Sequence, residues 1–244
     1  LAWFMHWKKF SVKANTKIIW YRFYIKNEKS LQAIVGFFYS SKIFNNDKLL
    51  TMKTKCLFLG YTKKKTKLIK LLEKKGCKVK NLSKKITIHD TKRFHLFISF
   101  GYRHIISEKI LKKLKRPMIN LHLSYLPYNR GAYPNFWSFI DNTPSGVSIV
   151  EIDKGIDTGP VIYKKKIKFD LKKNKNLSFK STYNELFKEM EKLFTKKADK
   201  ILSGKYLKKK QKGKGTFHNK RDLPKELSNW NMNINNFKDN YKKF

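Results

Sequence analysis

The apolar residues of this chain fall into two patterns: short, nearly unbroken runs, and longer stretches where they recur every three or four positions. Lys55 to Leu59 is a run of the first kind and ends at Gly60. Thr62 then offers an N-cap, and Leu68, Ile69, Leu71 and Leu72 form a helical stripe that stops at Gly76. Val79 to Leu82 reads as a second strand. Leu96 to Phe100 (LFISF) stops at Gly101, as a strand buried on both faces does. Ser107 caps a short helix through Leu114, and Met118 to His122 is the next strand. Gly146 to Ile152 and Val161 to Phe169 follow as strands. Ser178 to Ser203 reads as one long helix with Tyr183, Leu186, Phe187, Met190, Leu193 and Phe194 on its apolar face, ended by Gly204. Strands alternating with helices predict an α/β fold with a mainly parallel sheet flanked by helices. Ligands then bind at the carboxyl ends of the strands.

The chain divides by composition. Twelve of the first 51 residues are aromatic, against 24 of the remaining 193, and no helix or strand period is visible there. The text changes at Met52, which reads as a natural start followed at once by a strand. Residues 1–51 are therefore expected to be a non-native or disordered upstream extension. Residues 52–204 are expected to form the main folded domain, and 205–244 a Lys- and Asn-rich tail, partly ordered.

The net charge is +40, from 57 basic and 17 acidic residues. Such a charge ordinarily points to nucleic acid or an anionic membrane. Here only six of the basic residues are Arg, and the lysines are spread along the whole chain. With abundant Asn, Ile, Phe and Tyr, this matches the bias of an A/T-rich coding sequence. Nucleic acid is therefore not the expected partner. No apolar run approaches the ~18 residues of a membrane span. Cys56 and Cys77 match no metal-ligand or disulfide spacing, so the expected setting is the reducing cytoplasm, with no metal.

Candidate chemistry is concentrated in NLHLSYLPYNRG, residues 120–131. A strand delivers Asn120 and His122 in an i, i+2 relation, so both side chains share a face. An amide and an imidazole side by side can grip one oxygen. Pro127 and Gly131 then turn the chain. In DKGIDTGP, residues 153–160, Asp157 sits on a loop between Gly155 and Gly159 and can lie opposite that pair.

These stretches, with Gly146-Val147-Ser148-Ile149 and Ile156-Asp157-Thr158-Gly159-Pro160, resemble the folate-dependent formyltransferase family. The resemblance covers roughly Lys55 to Phe169. It implies a Rossmann-like formyltransferase fold, N10-formyltetrahydrofolate as one-carbon donor, and Asn120, His122 and Asp157 as catalytic trio. It further implies that Phe100, Gly101, Tyr102 and Ile105, after the preceding strand, line the pterin pocket. Ser124, Arg130, Gly131, Asn135 and Trp137 are the expected acceptor contacts. In the chemistry implied, an amine attacks the formyl carbon. Asn120 and His122 stabilise the oxyanion, and Asp157 with His122 relays the proton. Where relatives often carry His in the strand before the Asp loop, this chain has Val150.

Three kinds of acceptor divide the family. The single glycine in Gly60-Tyr61-Thr62-Lys63 lacks the phosphate cradle of glycinamide ribonucleotide enzymes. The 75 residues after Phe169 show no run of strands for the barrel that methionyl-tRNA enzymes add. The turn from Arg130 to Phe139 and the stretch Phe100 to Arg103 look most like enzymes acting on nucleotide-linked amino sugars. The expected partners are thus such a small-molecule amine and a second copy in a homodimer. The reading from another class is a non-enzymatic, basic nucleic-acid-binding protein on the same scaffold.

Overall fold

The computed structural model describes residues 6–14, 17–25 and 54–241. Two compact units divide the chain at Met52/Lys53. In the first, β1 (His6–Ala14) and β2 (Lys17–Ile25) pair antiparallel, His6 opposite Ile25 and Ala14 opposite Lys17. No strand period is visible here in the sequence. The strands are rich in aromatic and β-branched residues, which favour extended backbone through composition without alternation. The rest of the expected extension, residues 26–51, lies outside the described residues.

In the second unit the elements run β3 (Lys55–Gly60), α1 (Leu68–Lys74), β4 (Lys78–Leu82), α2 (Ile88–Arg93), β5 (Leu96–Phe100), α3 (Glu108–Leu111) and β6 (Ile119–His122). There follow β7 (Arg130–Gly131), α4 (Pro134–Ile140), β8 (Gly146–Glu151), β9 (Val161–Lys166), α5 (Phe179–Ser203), β10 (Phe217–His218) and α6 (Ile234–Tyr241). Six strands form one sheet in the order β4-β3-β5-β6-β8-β9. The first four are parallel, and β8 and β9 are antiparallel to their neighbours. Each parallel step is bridged by a helix, α1, α2 or α3, because a tight turn cannot reverse the chain into a parallel partner.

Both faces of the sheet are covered, which is why its strands read as unbroken apolar runs. On β3, Cys56 and Phe58 face a core completed by Leu68, Ile69 and Leu72 of α1 and by Leu186, Met190, Phe194, Ala198 and Ile201 of α5. Leu57 and Leu59 face the other way, against Ile86, Phe94, Phe97, Ile110 and Met118. Burial pushes the Cys56 thiol well above its ordinary value, as befits a core residue. Ser178 caps α5 through a reciprocal bond with Ser181, and Gly204 ends it in the left-handed conformation at φ 72°. The Arg116 guanidinium reaches the last carbonyls, donating to Leu202 O at 2.9 Å and Ile201 O at 3.2 Å.

Some boundaries differ from expectation. Thr62 does not cap α1: its carbonyl closes a turn through Lys65 N and Thr66 N, and the helix begins at Leu68. The helix after Ser107 stops at Leu111, and β9 ends at Lys166. The stretch Tyr133 to Phe139, read as a turn, contains α4. That helix starts from Tyr133 at φ 52°, with Pro134 in its first turn, and Asn135 to Phe139 are all buried. A helix buried on every side has no polar face, so no amphipathic period marks it.

A third cluster unites α4, α5 and α6: Phe136, Trp137 and Phe139 pack with Phe179, Ile234 and Phe237. The segment after Gly204 thus crosses the domain. It bridges Val161 and Lys209 (N–O 2.8 and 2.9 Å), pairs β10 in parallel with β7, and seats α6 in this cluster.

Candidate active site

β6 carries Asn120 and His122 to the carboxyl edge of the sheet, where β5 and β3 also end. There a cavity of about 1240 Å³ opens. It lies beside the place where the strand order reverses around β3, the usual location of a ligand cleft in such sheets. The loop after β8 brings Asp157 to the same place. Asn120 Nδ2 donates to Asp157 Oδ1 at 2.9 Å, and Gly131 N donates to Asp157 Oδ2 at 2.9 Å. His122 Nδ1 lies 3.5 Å from Oδ2 of the same carboxylate. The three residues expected to act together are thus brought together, with the His122 and Asp157 side chains about nine-tenths buried.

The imidazole is oriented from its other side. His122 Nε2 is 3.0 Å from Asn129 O. A carbonyl oxygen only accepts, so Nε2 carries a proton and Nδ1 is the nitrogen turned toward Asp157. One N–H of Asn120 is engaged by Asp157, which leaves the second for a substrate oxygen.

Two backbone features shape this arrangement. Asn129 and Asp157 adopt left-handed conformations, φ 53° and 54°. Asn and Asp are the residues other than glycine that enter that conformation most readily, and it clusters at functional sites. At Gly131, φ 86°, a side chain would run into the carbonyl oxygen of His218 on β10, so glycine is required there.

Phe100, Gly101, Tyr102 and Ile105 all line the cavity. Phe100 stacks on Phe187 of α5 with ring centroids 4.8 Å apart. The Tyr102 hydroxyl is engaged, accepting from Ile86 N at 2.8 Å and donating to Lys84 O at 2.9 Å. The Ile105 side chain is 77% exposed, an apolar surface free to meet a ligand. Val150 lies opposite Asn120 in the β6–β8 pairing and lines the cavity with its neighbours Glu151 and Ile152.

The expected acceptor contacts divide. Gly131 and Asn135 line the cavity; Ser124, Arg130 and Trp137 do not. The Ser124 hydroxyl is used internally on Tyr128 O. Arg130 grips Gln211 Oε1 through Nε at 3.1 Å and Nη2 at 2.8 Å. Trp137 packs in the third cluster and stacks on His218 at 3.9 Å, almost coplanar. Ser124 and Arg130 belong to the motif and Trp137 follows it, but the Ser124 hydroxyl is taken within its own turn, and the crossing C-terminal segment engages the side chains of Arg130 and Trp137. Asn135 Nδ2 donates to Phe179 O and Thr182 Oγ1 at 2.8 and 3.1 Å, and its Oδ1 has no hydrogen-bond partner.

Other residues of the cavity wall escape sequence reasoning. Tyr61, after β3, shares a 2.7 Å hydroxyl–hydroxyl bond with Tyr183 of α5, and Gly101 has no side chain because the Tyr61 ring fills that space. Burial, reinforced by Tyr61, pushes the Tyr183 phenol far above its ordinary value, so it stays protonated. Lys65 Nζ lies 5.4 Å from the centre of the Phe187 ring. His218, Asn229, Trp230 and Asn231 come from the C-terminal segment. Only the aromatic spacing on α5 hinted at any of these. Among the described residues, no group of three or more His, Cys, Asp or Glu side chains could hold a metal ion, and no helix is long and apolar enough to cross a membrane.

Fold and site together define an α/β protein of the doubly wound kind, with an Asn–His–Asp cluster at the mouth of one large cleft. Residues 23–194 match the family described as Formyl transferase. The chain belongs to that family. Its structure resembles that of the formyltransferase PseJ from Anoxybacillus kamchatkensis, solved in complex with UDP-4,6-dideoxy-4-formamido-L-AltNAc and tetrahydrofolate. The likeness has 34% identity and a TM-score of 0.69, over 74% of this chain and 96% of that one. The dTDP-4-amino-4,6-dideoxyglucose formyltransferase of Mycobacterium tuberculosis is 28% identical over 131 residues, 54% of this chain and 53% of that protein. The methionyl-tRNA formyltransferase of Finegoldia magna is 41% identical over 71 residues, 29% of this chain and 23% of that protein. The chain thus matches about a quarter to a half of the length of these two relatives.

Proposed function

We propose that this protein transfers the formyl group of N10-formyltetrahydrofolate to a primary amine, and that the amine belongs to a nucleotide-linked amino sugar. The observation that carries the reading is the Asp157 carboxylate, held by Asn120 and Gly131 and faced by His122 at the cleft. In this reading the amine attacks the formyl carbon, and the bond from that carbon to N10 breaks. The free N–H of Asn120 stabilises the oxygen that becomes negative, such a donor being worth about 10²–10³ in rate, while His122, held at Nε2 by the Asn129 carbonyl, faces Asp157 through Nδ1. The proton leaving the amine passes through the Asp157–His122 pair to N10. Phe100, Gly101, Tyr102 and Ile105 form the pterin wall, and Gly131 and Asn135 the acceptor side. A cleft of about 1240 Å³ is large enough for a folate and an acceptor together. The sugar acceptor is supported by the solved relative that is matched over 96% of its own chain, which is bound to a formamido sugar nucleotide.

The test is an acceptor screen. With N10-formyltetrahydrofolate present, tetrahydrofolate release is followed against nucleotide-linked amino sugars, glycinamide ribonucleotide and methionyl-tRNA. Turnover with an amino-sugar nucleotide alone is expected; turnover only with methionyl-tRNA overturns the acceptor, and none with any amine overturns the reaction.

A further inference from the structure

The segment from Lys209 to His218 does more than cross the domain. Two of its side chains reach the backbone that carries the site. Thr216 Oγ1 accepts from Asn129 N at 2.7 Å and donates to Asn129 Oδ1 at 3.0 Å. Asn129 is fully buried, and its Nδ2 donates to Thr143 Oγ1 at 2.8 Å. Its carbonyl is the one that holds His122 Nε2. Gln211 acts on the facing loop. Its Nε2 donates to Asp157 O at 2.7 Å and to Gly159 O at 2.8 Å, while its Oε1 takes both bonds from Arg130.

We infer that Thr216 and Gln211 are positioning residues for formyl transfer: Thr216 fixes the Asn129 carbonyl that orients His122, and Gln211 fixes the loop that presents Asp157. The inference rests on the formyl-transfer reading above. Its physical ground is that both targets are left-handed, non-glycine residues, which keep that conformation only where their surroundings over-determine it. The bonds of Thr216 and Gln211 to them are long-range, 87 residues from Asn129 and 54 from Asp157, while the local side-chain bonds of the Asp157 loop go to Asp153. Both side chains use donor and acceptor at once, so each is matched to its site by chemistry and not by bulk. Valine at 216 keeps the shape but orphans Asn129 N and Oδ1, while Thr216 O still accepts from Arg130 N at 3.0 Å and keeps β10 docked. Glutamate at 211 can still accept from Arg130 but sets an oxygen against two carbonyl oxygens. Misplacing His122 or Asp157 lowers the rate of the chemical step more than it weakens binding.

The experiment uses the full chain carrying Thr216→Val, Thr216→Ser or Gln211→Glu. The His122 ring nitrogens are followed by 15N NMR across pH, with His122→Asn to assign the signal; this readout needs no acceptor. Thr216→Val is expected to shift the His122 Nε2 signal and its titration and to lower kcat by about tenfold or more, with KM within about threefold. Thr216→Ser keeps the hydroxyl and is expected to restore both. Gln211→Glu is expected to lower kcat by a similar factor. An unmoved His122 signal in Thr216→Val, or a serine variant as impaired as valine, overturns the role of Thr216. If the valine variant does not fold, Gln211→Glu decides: kcat within about twofold of the parent overturns the inference. A parent that transfers no formyl group would sink the proposed function, while the His122 signal would still report on Thr216.

Discussion

Asn120 Nδ2 and Asp157 Oδ1 lie 2.9 Å apart, joining β6 to a loop 37 residues further along the chain. Together with Gly131 N, this bond gives both carboxylate oxygens a donor. Asp157 is therefore an acceptor at both oxygens.

Asp157→Asn is expected to lower kcat by about 10²–10⁴, the range of general acid–base groups. An amide cannot accept at both oxygens, so the variant turns an NH₂ toward either Asn120 or Gly131. A rate like the parent's would withdraw the mechanism and keep the fold.

His122→Asn removes the ring that faces Asp157. We expect kcat to fall by at least about 10²-fold, with folate affinity largely kept, because the group acts mainly in the transition state. Steady-state kinetics beside equilibrium folate binding makes the measurement. Activity within about threefold of the parent would remove His122 from the chemistry.

Glu189 on α5 bonds Lys165 of β9 and Lys192, the latter at 2.6 Å, and these two bonds hold its carboxylate below its ordinary value. A depressed carboxylate stabilises the fold above the unfolded-state value, about 4.3. That contribution is lost as pH falls through the folded value. Glu189→Gln is therefore expected to be less stable than the parent at pH 7, with the difference shrinking as pH falls below about 4.3 and lost below the folded value. Because the lysines are 52% and 68% exposed, the difference is expected to be about 1 kcal/mol at most and to shrink with salt. Denaturant titrations at pH 7 and pH 3.5 make the comparison, and an undiminished difference at low pH would refute the assignment.

Deleting residues 1–51 is expected to leave the cooperative melting transition and the activity intact. The six-stranded sheet begins with β3 at Lys55, in a compact unit of its own. A thermal melt followed by circular dichroism tests this, and loss of the transition would place part of that segment in the core.

The strands β3 and β5 and the helix α5 were legible in the sequence because their burial is regular. β3 and β5 are covered on both faces and read as apolar runs. In α5 the stripe from Leu186 to Phe194 repeats with the helical period, between Ser178 and Gly204. The trio was legible for a different reason: Asn120 and His122 share a strand face, and Asp157 sits between glycines. What escaped has no period to read. α4 is buried on all sides, and β7 and β10 are two residues each. Thr216 and Gln211 act across long separations from a lysine-rich stretch that composition alone marks as tail. The same long separations hid the partners of Arg130 and Trp137, which come from Gln211 and His218.

The parallel pairing of β10 with β7 gives the protein an order of assembly. Synthesis runs from the N-terminus, and a nascent chain that has emerged as far as Gly204 already holds all six strands of the sheet and α5. It lacks Gln211 and Thr216. The slow, long-range closure between residues 129 and 216 therefore comes last. A chain ended at that point holds the sheet and α5 without the two side chains that fix Asn129 and the Asp157 loop.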